Sequence, residues 1–116
     1  MSINYCGMCN RISKYMNGEE DYKAVYESEH SLAIYPSKPS TQVHILIMTK
    51  RHFETVFDIT DEHDEVMLDI MKAIQAASRE VIALKGACKV QMYLGEFQNT
   101  RHFHCHIVYD ESIDQV

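Results

Sequence analysis

Three histidines, His102, His104 and His106, recur at every second position in Arg101-His102-Phe103-His104-Cys105-His106-Ile107-Val108. Successive side chains of a β-strand point to opposite faces, so on a strand all three imidazoles project from one side. On a helix the same spacing spreads them around roughly 200°, too far apart to meet one small ligand. Phe103, Cys105 and Ile107 then occupy the other face, where they can enter a core. Histidine acts near neutral pH as nucleophile, proton donor or hydrogen-bond partner of phosphate oxygen, and that set suits phosphoryl chemistry. A ring that attacks with one nitrogen needs the other held as N–H, usually by a backbone carbonyl. The middle ring, flanked by two helpers, fits that task, which points to His104. His44 interrupts the apolar run Val43–Met48. It joins the group if its strand lies in the same sheet, and is otherwise a core histidine satisfied by a carbonyl.

A second constellation stands near the start. Cys6-Gly7-Met8-Cys9 is a Cys-x-x-Cys knuckle, half of a tetrahedral zinc site, with a glycine that permits a tight turn. A thioredoxin-type redox pair would follow a strand in a βαβ unit, but only five residues precede Cys6. His52 and His102, both expected at strand ends, are candidates for the remaining two ligands. Four protein ligands would close the site and make the zinc structural. Zinc would then sit on His102 and chemistry on His104.

The rest of the chain must position these groups. Residues Asn10 to Met16 form one or two helical turns stopped by Asn17-Gly18. Tyr22–Tyr26 and Ser31–Tyr35 read as a hairpin, and Pro36-Ser37-Lys38-Pro39-Ser40 as a loop able to border a site. Val43–Met48 has the character of a central strand buried on both faces. From Thr60 or Asp61, carboxylates crowd a helix start, and Met67, Ile70, Met71, Ile74, Ala77, Ser78 and Val81 recur at helical spacing until Gly86, which predicts a long helix with that stripe in the core. Two strands, Ala87 to Leu94 and His102 to Tyr109, flank a turn at Gly95, and a polar tail follows from Glu111 to Val116. The 116 residues thus predict one α+β domain, with 1–18 as zinc knuckle and short helix.

A formal net charge of −6 argues against a general nucleic-acid or anionic-membrane binder, so any phosphate must be held locally. No apolar run approaches the roughly 18 residues of a membrane span. Met1-Ser2-Ile3-Asn4 does not begin a signal peptide, and four cysteines suit a reducing compartment, so the expected location is cytoplasmic.

His102-Phe103-His104-Cys105-His106-Ile107-Val108 resembles the His-φ-His-φ-His-φ-φ signature of the histidine triad (HIT) superfamily of nucleotide hydrolases and nucleotidyltransferases. The resemblance extends to Cys6-x-x-Cys9, Leu32-Ala33-Ile34, His44-Ile45-Leu46-Ile47, Lys50-Arg51-His52 and the long helix, so it covers most of the chain. It implies a HIT-like fold, an antiparallel sheet with one long helix and a short N-terminal helix, and a homodimer. It implies attack by His104 on the α-phosphate of a small nucleotide, with a nucleotidyl-histidine intermediate and assistance from His106 and His44. In zinc-bearing members the ligands are at the positions of Cys6, Cys9, His52 and His102, and the last also borders substrate. Gln98 and Asn99 resemble a Gln-Ser/Thr pair that contacts phosphate. Tyr35-Pro36-Ser37-Lys38 stands where an acidic residue usually holds the ribose, and Tyr35 is counted there as substrate-binding. Without that carboxylate, weaker or different nucleoside binding is expected. Phe97 replaces a usual glycine, and Tyr109-Asp110 a usual Pro-Arg. The rival from another class is a non-catalytic nucleotide-binding or protein-interaction module with a structural zinc. Removal of adenylate from nucleic-acid ends, as aprataxin-like relatives perform, fits the acidic balance poorly.

Overall fold

The computed structural model describes residues 6–110, so the expected polar tail and the first five residues lie outside it. Helix α1 (Gly7–Met16) leads to strands β1 (Ala24–Glu27), β2 (Ser31–Ile34) and β3 (Val43–Thr49). Helix α2 (Asp64–Lys85) follows, then β4 (Lys89–Gln91) and β5 (His104–Tyr109). The strands form one antiparallel sheet in the order β1-β2-β3-β5-β4, so the fold is α+β with one long and one short helix.

Register assigns every side chain to a face. His44 lies opposite Val108, Leu46 opposite His106 and Met48 opposite His104. Cross-strand partners share a face, so His44, His104 and His106 emerge on one side. Ile45, Ile47, Cys105 and Ile107 emerge on the other, where they pack against Ala73, Ala77 and Val81 of α2. The histidine-bearing side is covered only in part: Leu32, Ile34, Leu46 and Met48 are sealed by Met8 and Ile12 of α1. α1 therefore covers the β2–β3 half and leaves the β3–β5 half to the imidazoles. β3 is buried on both faces, as its unbroken apolar run predicts.

Several expectations need correction. The stripe of α2 that meets the sheet is Val66, Ile70, Ala73, Ala77 and Val81. Met67 and Met71, expected in the core, are 39% and 52% exposed, because each sits one residue, about 100°, around from that stripe. α2 starts at Asp64, after a 3₁₀ turn over Asp61–His63. It ends as expected, at Gly86 with φ +85° donating its N–H to the Ile82 carbonyl. α1 begins three residues before the expected Asn10, because Cys6 caps it. β5 begins at His104, two residues late, since the Phe103 N–H leaves the ladder to bond the Phe53 carbonyl at 2.6 Å. Buried Asp69 on α2 pins the β1–β2 hairpin by accepting from the hydroxyls of Tyr26 and Ser28. Burial pushes that carboxyl up, but the hydrogen bonds from Ser28 and Tyr26, with the charge of His30, outweigh it and hold the group below its ordinary value.

Candidate active site and metal centre

Every imidazole of the sheet face has a fixed hydrogen-bond partner, and the partners determine which nitrogen is free. The His104 Nδ1–H donates to the backbone carbonyl of His102 at 2.6 Å. Its Nε2 therefore carries a lone pair, the form a nucleophile requires. The backbone N–H of Ser40 reaches His44 Nδ1 at 3.1 Å. An amide can only donate, so His44 Nδ1 accepts and the ring holds its single proton on Nε2. That N–H donates to His106 Nδ1 at 2.8 Å, which leaves the His106 proton on Nε2. The array thus presents a bare nitrogen on His104 beside an N–H on His106, with ring centroids 5.2 Å apart.

Electrostatics reinforce this arrangement. Burial, then the charges of His104 and His44, pull His106 down to about 4, and burial alone lowers His44. Both rings are neutral at pH 7. Unfolding returns them to ordinary imidazole values near 6.5, where the unfolded chain binds protons that the folded chain refuses. Their contribution is therefore fully present above about pH 6.5 and is lost as pH falls from there toward about 4. A urea midpoint that drops across that window in the wild type, and drops less in His44→Gln, is the expected result; identical slopes would refute it.

The metal-ligand candidates converge one step along the chain. The Cys6 side chain caps α1 by accepting the Cys9 N–H at 3.3 Å, so the knuckle is the first turn of a helix. Gly7 is helical and needs no left-handed turn, contrary to the role expected of it. His102 is fully buried, and its Nε2–H donates to the Thr49 carbonyl at 2.6 Å, which turns a lone pair on Nδ1 toward the sulfurs. His102 Nδ1 lies 3.4 Å from Cys6 Sγ, 3.3 Å from Cys9 Sγ and 3.2 Å from His52 Nδ1. His52 Nδ1 is 3.3 Å from Cys9 Sγ, and all four donors lie within 4.8 Å of one another. A tetrahedral site with Zn–N about 2.0–2.1 Å and Zn–S about 2.3 Å has ligand–ligand edges of roughly 3.3–3.8 Å. The four separations of 3.2–3.4 Å lie at the short end of that range, so the residues fit a metal ion of that kind. Burial, followed by the hydrogen bond and charge of Cys6, pushes the Cys9 thiol up to about 11, so the pair resists two negative charges unless a cation lies between them.

The remaining candidates separate from the histidines. Tyr35 follows β2 on the helix side of the sheet, packed on the α2 core, with its hydroxyl donating to Glu80. Burial and then Glu80 push that phenol up to about 12. The Tyr35 side chain is thus on the face opposite the imidazoles, because it has the same strand parity as Ala33. The Gln98 amide nitrogen ties two loops, donating to the carbonyls of Glu54 at 2.6 Å and Thr100 at 3.1 Å. Asn99 lines an open cleft of about 930 Å³ beside the Cys/His cluster. Two contributors are invisible to residue-type reasoning. The Ser40 amide and the Thr49 carbonyl set histidine tautomers as backbone groups, and no side-chain pattern announces a backbone group. Tyr93, whose ring centroid lies 5.2 Å from that of His106, offered only its aromatic character.

Among the described residues no helix is long and apolar enough to cross a membrane. Comparison with known proteins gives the same outline. Protein hit of Bacillus subtilis is 32% identical over 106 residues, covering 89% of this chain and 69% of the relative. An uncharacterized HIT-like protein of Mycobacterium tuberculosis is 30% identical over 107 residues, with the same coverage. A histidine triad protein from Clostridium difficile superposes with TM-score 0.74 at 26% identity, covering 100% of this chain and 99% of its own. A HIT family hydrolase from Clostridium thermocellum shares the fold, with TM-score 0.75 at 24% identity and coverage of 99% and 100%. The HIT domain family pattern matches residues 17–112, which takes in both histidine strands and the helix that supports them, and the chain belongs to that family.

Proposed function

We propose that this protein is a nucleotide hydrolase or nucleotidyltransferase that acts at the α-phosphate of a small nucleotide, through a nucleotidyl-histidine intermediate on His104. The observation that carries the reading is the His104 Nδ1–H bond to the His102 carbonyl, which leaves Nε2 bare on the exposed side of the sheet beside the His106 N–H. His104 Nε2 forms a bond to the α-phosphorus as the bond to the leaving oxygen or nitrogen breaks; the leaving atom takes that electron pair, and a leaving nitrogen also takes a proton from solvent so that it departs as an amine. The His106 N–H, oriented by His44, hydrogen-bonds the charge that develops on the phosphoryl group. Water then attacks the phosphorus, the P–N bond breaks, and its electron pair returns to Nε2. One water proton stays on the product phosphate and the other leaves to solvent; in transfer, another hydroxyl replaces water.

Cys6, Cys9, His52 and His102 would hold a structural zinc ion. Bound there, zinc supplies no reactive position, since four protein ligands close the coordination shell. Its contribution is to fix His102, whose carbonyl orients His104. The same proposal includes a cytoplasmic homodimer. The apolar flank of α2 (Leu68, Met71) and the short edge strand β4 with exposed Val90, followed by exposed Met92, are surfaces that a second copy would cover.

Mass spectrometry after incubation with nucleoside phosphoramidates, nucleotide sugars and dinucleoside polyphosphates tests the chemistry. The expected result is a nucleotidyl mass on the wild type that maps to His104, or released product where turnover outruns the adduct. Neither adduct nor product across the panel would leave the non-catalytic binding module as the better reading.

A further inference from the structure

The His44 N–H fixes His106 Nδ1 at 2.8 Å, but one hydrogen bond fixes one atom of an imidazole and leaves the plane of the ring to be set by packing. On the β3 side the His44 ring supplies that packing, with centroids 5.0 Å apart at 31°. The other flank of His106 faces β4, the three-residue edge strand of the sheet, while α1 seals only the β2–β3 half. Tyr93 covers this flank. Gln91, the last residue of β4, lies opposite His106 and so shares its face. Two residues on, Tyr93 has the same parity, and a continued ladder would set it opposite His104, diagonal to His106. The Tyr93 hydroxyl donates back to Gln91 Oε1 at 3.1 Å, and the phenol ring leans on His106, with centroids 5.2 Å apart at 41°. His106 thus has ring neighbours arriving from both adjacent strands, with His104 edge-on at 5.2 Å and 82°.

The chemistry of that neighbour suits the task. The titratable groups set against His106 are His44 from β3, His104 from its own strand and Tyr93 from beyond the end of β4. A carboxylate in the place of Tyr93 would draw a proton onto the imidazole. A phenol ring displaces water without adding a charge, and its hydroxyl is engaged by Gln91. Burial is the first cause of the low proton affinity of His106, and Tyr93, itself 44% exposed, is the outer layer of that burial on the β4 side. Direction matters as much as protonation, because a hydrogen bond weakens steeply once its angle falls below about 120°.

We propose that Tyr93 is a positioning residue of the histidine array: its ring sets the plane of the His106 imidazole and keeps water off its β4 flank, so that the Nε2–H points at the phosphoryl group on His104. This inference rests on the function proposed above and adds a residue to that reaction without altering its steps. Tyr93 acts through His106 and forms no bond to substrate. The ring carries the effect, and the hydroxyl anchors it to Gln91.

The test uses the metal-bound protein. It reads kcat and KM with the panel substrate that the wild type turns over fastest, and the ring-nitrogen NMR shifts of His106 without substrate. Tyr93→Ala is expected to lower kcat about tenfold while KM changes less than about twofold. Its His106 ring should lose the single Nε2–H pattern of the wild type, and the titration midpoint of that ring should rise by at least about half a pH unit as water reaches it. Tyr93→Phe should keep kcat within about twofold of the wild type and keep the wild-type ring shifts. Tyr93 is exposed and belongs to none of the apolar clusters, so both variants are expected to fold, which melting temperature and metal content check. If Tyr93→Ala keeps both kcat and the His106 shifts of the wild type, the inference falls while the proposed function stands. It falls equally if kcat drops with the His106 shifts unchanged, or if Tyr93→Phe loses as much as Tyr93→Ala. Should the wild type turn over nothing in the panel, the proposed function falls and takes this inference with it.

Discussion

His104→Asn is expected to fold normally and to lose turnover by about three to five orders of magnitude, equivalent to roughly 4–7 kcal/mol of transition-state stabilisation. The imidazole is half-buried at the edge of the covered face, and it belongs to none of the apolar clusters, so removing it leaves no large cavity. What disappears is the bare Nε2 that the His102 carbonyl sets up at 2.6 Å, and an asparagine amide has no comparable nucleophile. His106→Gln, which keeps an N–H donor in the neighbourhood, should fall less, by about two orders of magnitude. The check is steady-state turnover beside thermal melting. Retention of more than a tenth of wild-type turnover by His104→Asn would remove that residue from the nucleophile's role.

Cys9→Ser should carry the largest stability effect in the molecule. Cys9 Sγ lies within 3.3 Å of both ligand histidines, so it is central to the donor set. Losing a bound structural metal removes a stabilisation that grows with its binding free energy, and apparent values for small zinc sites reach about 10–16 kcal/mol. This chain has apolar clusters of its own, so partial retention of the fold is expected, with a melting temperature lower by about 15 °C or more. About one equivalent of zinc should copurify with the wild type and be absent from the variant, by elemental analysis. A wild type with no metal, or a variant with unchanged metal and melting, would overturn the ligand set. A turnover loss is also expected in Cys9→Ser, because freeing His102 loosens the carbonyl that orients His104.

The parts of this site that depend on strand parity were legible in the sequence. The i, i+2, i+4 histidines predict a shared face, and register places His104 and His106 there with His44 from the adjacent strand. Position within the triad separates the roles. His102 lies just outside β5, and its Nδ1 turns to the cysteines instead of joining the two rings that follow it. What the sequence could not convey is the direction of hydrogen bonds, which come from the backbone of Ser40, Thr49 and His102. Tyr35 illustrates the complementary failure. The resemblance counted it as substrate-binding at the ribose position, but parity with Ala33 turns the ring toward Glu80 and α2. Met67 and Met71 failed for a similar reason, since spacing alone does not separate the centre of a helix stripe from its flank.

The histidine array terminates at Ser40, a residue of the Pro36–Ser40 loop. A peptide N–H does not titrate, so a proton on His44 Nδ1 requires the ring to exchange the Ser40 amide for an acceptor, and the Ser40 hydroxyl stands 3.5 Å away. Charge on His44 and His106 is consequently coupled to the contact that Ser40 makes with the ring. A substrate anion that draws a proton onto His106 or His44 thereby changes which Ser40 group the ring faces, and the amide contact keeps both rings neutral. The loop thus reads the protonation of a site it borders through one residue, Ser40.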